Sequence, residues 1–187
     1  MKQTVRASQR LVAGTALAAA AILIPGAALA ASAASASGAR TAAASAPACR
    51  AASTEVWLAL PGEGTAGTVY YQLEFSNVGR HTCTLFGHPG VSAVNRNGHQ
   101  VGKPASWGGV PHPVTLQPGA TSHVILGVVD TGAVCANPIT AASLQVYPPG
   151  QTHAQHVELS VRVCPSRSTM NVSPVRPGTG IPFYTTY

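Results

Sequence analysis

The stretch Val69-Tyr70-Tyr71-Gln72-Leu73-Glu74-Phe75-Ser76 decides the fold class. Val69, Tyr71, Leu73 and Phe75 fall on one phase of a two-residue period, and Tyr70, Gln72, Glu74 and Ser76 on the other. Successive side chains of a strand point to opposite faces, so this segment is a strand with one face in a core and one toward water. Upstream, Val56, Leu58 and Leu60 alternate with Glu55, Trp57 and Ala59, which predicts a strand from Thr54 that forms a hairpin with it. Trp57 lies on the polar phase and is expected to cover the second face of the sheet.

The same pattern continues downstream. Cys83 to Phe86 and Val91 to Val94 read as strands punctuated by Gly87 and Pro89-Gly90, and Asn97-Gly98 is a hairpin turn because both residues tolerate positive φ. Val114 to Gln117 leads through Pro118-Gly119 into Thr121 to Val129. Leu144 and Val146 precede Pro148-Pro149-Gly150, Val157 to Val163 alternates again, and a last strand runs from Met170 to Val175. Seven to nine short strands with Gly/Pro turns, and no helical period, predict an all-β, immunoglobulin-like antiparallel β-sandwich over residues 48–176.

Before this domain lies an address. Lys2, Arg6 and Arg10 precede an apolar run from Leu11 to Ile24, and Ala28-Leu29-Ala30 offers the small residues a signal peptidase reads. Residues 1–30 are therefore expected to be a cleaved signal peptide; the apolar run is shorter than the ~20 residues a bilayer span needs. Residues 31–47, mostly Ala and Ser, are expected to form a disordered tether, and 177–187 an exposed tail. The product is expected to be secreted or wall-associated, monomeric, and without a membrane span after processing.

Charge narrows the function further. The chain of 187 residues carries a net +6, but removing the three basic residues of the leader leaves eight against five acidic ones, or +3. Those eight are scattered, whereas a phosphate-tracking surface needs several on one face, so nucleic acid is not an expected partner.

Four cysteines in an exported chain predict two disulfides. The hairpin brings the start of the strand at 54 beside the end of the strand at 76, where the chain turns into Cys83; this predicts Cys49–Cys83. A strand ending at Cys164 that returns along Leu144 to Tyr147 approaches Cys135, which predicts Cys135–Cys164. No Cys-x-x-Cys pair suggests a metal or redox site.

These motifs resemble a known family. Tyr70-Tyr71-Gln72-Leu73-Glu74-Phe75-Ser76-Asn77, Cys83-Thr84-Leu85, Gly87-His88-Pro89-Gly90-Val91-Ser92, Val101-Gly102-Lys103-Pro104-Ala105, Leu116-Gln117-Pro118-Gly119 and Leu144-Gln145-Val146-Tyr147-Pro148-Pro149 are similar, in this order, to the exported actinobacterial proteins grouped as domain of unknown function 4232. The resemblance covers about residues 49–176. It implies an extracytoplasmic immunoglobulin-like domain and supplies no activity, cofactor or catalytic residue. Family members often follow a signal peptide or a lipid anchor; this chain has no lipid-attachment cysteine, so only the free-secreted form fits.

The candidate chemistry is sparse. The loop Lys103-Pro104-Ala105-Ser106-Trp107-Gly108-Gly109-Val110-Pro111-His112-Pro113 places an indole among small residues. Trp107, with Lys103 and His112, is the candidate ligand contact, a stacking surface for a sugar ring or a partner side chain. Of seven histidines, His153 and His156 form the one tempting metal pair, although residues three apart on a strand face opposite ways. No paired carboxylates, nucleophile elbow or phosphate-binding loop point to catalysis, and no cofactor is expected. The leading expectation is a non-enzymatic binding or structural module acting on a cell-wall glycan or an extracellular protein. The alternative is an extracellular metal or small-ligand carrier using surface histidines.

Overall fold

The computed structural model describes residues 45–59 and 62–180. The expected signal peptide, most of the expected tether and the last seven residues lie outside them, and within them no helix is long and apolar enough to cross a membrane.

The architecture is all-β. The larger sheet places β1 (Thr54–Leu58) beside β3 (Thr68–Asn77), then β8 (Thr121–Val129), then β13 (Met170–Val172), with β6 (Ser106–Trp107) running parallel to β13 at the far edge. β2 (Glu63–Thr65) also pairs with β3, and β14 (Arg176–Pro177) with β8. A second sheet orders β11 (Gln155–Val157), β10 (Ser143–Tyr147) and β5 (Gly90–Val94). Two short ladders complete it: β4 (Cys83–Leu85) with β7 (Val114–Leu116), and β9 (Ile139–Thr140) with β12 (Arg162–Val163). Among the described residues the strands number fourteen, many of them pairing over only two or three residues.

The decisive strand behaves as its alternation requires. Leu73 and Phe75 are fully buried, facing Val124 and Ser122 on β8. With Leu126, Met170 and Val172 they meet Val91, Ala93, Leu144 and Val146 of the second sheet in one core. Burying a Leu, Phe, Met or Val side chain contributes about 1.5–3 kcal/mol, so this two-sided apolar layer is the main source of stability. On the outer face Trp57 is half-exposed, and its Nε1–H donates to Ser76 Oγ at 2.9 Å.

The hairpin of β1 with β3 forms in the expected sense, Thr54 opposite Asn77 and Leu58 opposite Leu73. The intervening β2 turns back through Ala66 and Gly67, at φ +46° and +82°. Two positive φ values in a two-residue turn match the twist of a hairpin, and glycine accepts this without strain where alanine does not.

Both disulfides are present, Cys49–Cys83 with Cα atoms 4.8 Å apart and Cys135–Cys164 at 5.8 Å. Each is worth about 3–4 kcal/mol in the chain-entropy model. Cys49 reaches Cys83 because residues 47–49 lie along β4, with Cys49 N–H donating to the Thr84 carbonyl and Thr84 N–H to that of Pro47. The second bond arises differently from expectation. Val157 to Val163 is not one strand returning along 144–147: β11 pairs with β10, the ladder breaks at Glu158–Val161, and β12 pairs with β9 beside Cys135. The break occurs where the Ser160 hydroxyl donates to the Ala141 carbonyl and Ala141 N–H to that of Val161.

Two glutamines close the free edge of β1. Gln155 Oε1 accepts from Val56 N–H at 3.0 Å while its Nε2 donates to the Thr54 carbonyl. Gln151 repeats the pattern one turn upstream, accepting from Ala51 N–H and donating to the Cys49 carbonyl. Each carboxamide substitutes for a neighbouring strand, which both satisfies the edge groups and blunts a template for association.

The candidate contact surface at Trp107

Trp107 stands at the end of β6, the edge of the large sheet, opposite Val172. Backbone pairing fixes it: Gly108 N–H donates to the Val172 carbonyl at 3.1 Å, and Ser106 Oγ to that of Met170 at 3.2 Å. The segment is thus a strand with an ordered backbone. Its indole nevertheless points outward, 67% exposed.

One ring covers it. His88 stacks parallel to the indole, centroids 5.4 Å apart and planes within 6°. The imidazole is held in turn by its Nε2, which donates to the Gly108 carbonyl at 3.0 Å. Two loops from different parts of the chain therefore lock each other. The loop after β4 is tied in as well, since Val175 N–H donates to the Gly87 carbonyl. Phe86, 59% exposed, and Val110, 73% exposed, lie two and three residues from the stacked pair on the same two loops. Offset-stacked aromatic pairs contribute about 0.5–1.5 kcal/mol beyond area burial, enough to set the plane of an otherwise free indole.

The three residues nominated from sequence are all exposed. Trp107 is an exposed ring, as a contact residue must be. Lys103 is exposed four residues before it, in the stretch that Val101 and Ala105 pair to β5, while His112 is exposed in the loop leading to β7. The histidine brought to Trp107 is His88, which the sequence reading did not nominate. His88 and Trp107 are 19 positions apart, and only the packing of two loops makes them neighbours.

The histidines of the metal alternative occupy different depressions. His153 shares one with Glu55 and Val78. His156 opens onto a polar groove of about 970 Å³ with Arg96, Asn97 and Glu158. Among the described residues no three His, Cys, Asp or Glu side chains form a metal-binding group. Asp130 is engaged locally, its Oδ1 accepting from Gly132 N–H at 3.0 Å.

Glu74 departs from expectation. Alternation turns it outward with Gln72 and Ser76, yet it is completely buried. The cover comes from the stretch expected to be an exposed tail. Arg176 and Pro177 pair with His123 and Ser122, and Gly180 is buried against the sheet. Burial pushes the Glu74 carboxyl above its ordinary value of 4.5, while the Gly180 N–H bonded to it pulls the other way.

Comparison with known proteins gives one result. No curated protein and no solved structure matches the chain. Residues 49–176, well over half its length, match the family described as a domain of unknown function, DUF4232, and the protein belongs to that family.

Proposed function

We propose that this protein is an exported, wall-associated, non-enzymatic binding module whose contact is the Trp107–His88 surface. The observation that carries the reading is an indole two-thirds exposed yet fixed in plane by a stacked imidazole. A tryptophan contributes about 150–250 Å² of burial, so its exposed part offers roughly 100–170 Å² to a partner, or about 2.5–4 kcal/mol. A ring held in advance also gives up little conformational freedom on binding.

Export is supported by the leader-like residues 1–30 and by two disulfides, which persist in oxidising compartments. The non-enzymatic reading rests on the sequence, in which no paired carboxylates, nucleophile elbow or phosphate-binding loop point to catalysis.

The test is co-sedimentation of the oxidised chain, from Ala31, with purified cell-wall glycan. Saturable pelleting that Trp107→Ala weakens by about 10-fold or more is expected, given the free energy above. Absence of pelleting by folded, oxidised protein overturns the wall-binding reading.

A further inference from the structure

The Glu74 site is independent of the Trp107 surface. Beyond β14 the chain turns through Gly178, at φ +78°, and crosses the outer face of the large sheet. Two bonds fix the crossing: His123 Nδ1–H donates to the Gly178 carbonyl at 2.8 Å, and Gly180 N–H donates to Glu74 Oε1 at 3.1 Å. His123 and Glu74 are register partners on β8 and β3, so the crossing follows one cross-strand row. A Cβ at Gly180 would come within 2.1 Å of the His123 ring, so only a residue without a side chain lets the segment close this tightly. Underneath, Glu74 is 0% exposed, and its Oε2 has no hydrogen-bond partner.

We propose that residues Gly178–Gly180 form a proton-controlled clasp, closed over neutral Glu74 and released when Glu74 ionises. An ionised carboxylate buried with one N–H donor and one bare oxygen is poorly solvated. Opening hydrates both oxygens and sacrifices one hydrogen bond. The neutral acid gains far less from opening and favours the closed state.

The sign follows from linkage. The closed state holds the proton more tightly than the open state, because burial raises the carboxyl above its ordinary 4.5. Closure is therefore strongest below that value. It weakens about 10-fold per pH unit up to the raised value and is constant beyond it.

The other groups facing Glu74 are identifiable from the pairing. His123 lies directly opposite on β8 and Trp57 opposite on β1. Glu55 is two places along the same outer face of β1, and Arg176 pairs with His123 from β14. His123 gives its Nδ1–H to Gly178 in either charge state, so protonation at Nε2 leaves that bond in place.

The experiment follows the Gly180 amide by NMR in the oxidised protein across about pH 4–8, as a hydrogen-exchange protection factor corrected for intrinsic exchange. Gly180 protection is expected to fall with rising pH from about pH 4 and then level off, while the Leu73 and Val124 amides of the β3–β8 ladder stay protected. Glu74→Gln retains the acceptor without the charge and is expected to hold the clasp closed throughout. His123→Ala is expected to weaken closure at every pH without moving the window. Gly180 protection that is flat or rises with pH in the unaltered protein overturns the proposal. So does a pH window that survives in Glu74→Gln, or one that disappears in His123→Ala.

Discussion

Replacing Gln155 by alanine tests the idea that a side chain here acts as a missing strand. The substitution removes two hydrogen bonds, from Val56 N–H and to the Thr54 carbonyl. Val56 is 7% and Thr54 3% exposed, so water replaces the lost partners poorly. Each unpartnered buried group costs about 1–3 kcal/mol. Freeing the glutamine rotamers returns about 1.5–2 kcal/mol. The balance is a loss of about 2 kcal/mol, which lowers Tm by about 8 °C for a domain of this size. Urea and thermal unfolding of the oxidised protein measure it. Gln155→Glu sharpens the test, since a carboxylate accepts from Val56 but only repels the Thr54 carbonyl. Its loss should exceed that of alanine at pH 7 and recover as acid protonates the carboxyl, because the folded state raises that pKa. A Gln155→Ala change within about 0.5 kcal/mol of the parent would refute the strand-substitute argument, placing the site among ordinary surface positions.

Further expectations are more local. Ala66 sits at φ +46° in the β2–β3 turn, a conformation asparagine adopts more readily. Ala66→Asn should therefore stabilise the protein by about 0.5–1 kcal/mol in urea titrations, and a destabilised variant would contradict the turn assignment. Asn77, buried at 1% exposure, donates from Nδ2 to the carbonyls of His81 and Leu116 and accepts at Oδ1 from Gly79 N–H. Asn77→Ala strands all three groups and should cost about 2–4 kcal/mol by chemical denaturation.

How far the sequence reaches depends on which interactions are local. Alternation in Val69–Phe75 and in Glu55–Leu60 is a property of adjacent residues, and it correctly placed Leu73 and Phe75 in the core and Trp57 on the outer face. The hairpin of Thr54–Leu58 with Thr68–Asn77 followed from two such segments joined by a short connection. Both disulfide pairings were legible, although the strand logic behind Cys135–Cys164 required one unbroken strand where the structure has two. Alternating apolar residues cannot signal that break, because Leu159 and Val161 keep the period while their backbone leaves the ladder.

The candidate site was legible only in part. An indole among glycines singled out Trp107 as a candidate contact, but its exposure, and its stacking on His88 from a loop 19 positions away, were decided by packing. Glu74 was misjudged for a related reason. Sequence assigns a side chain to a face of its strand, and that assignment held. Whether the face meets water depends on what else crosses it, here Gly178–Gly180, more than 100 positions downstream. The same limit applies to Gln151 and Gln155, whose roles exist only because the β1 edge lies beside them. The chain alone thus determined its strand class, its core phase and its covalent staples, because short-range periodicity and cysteine number encode them. The tertiary structure decided which outward groups are covered, stacked or bridged, because those outcomes depend on pairs of segments that no local pattern relates.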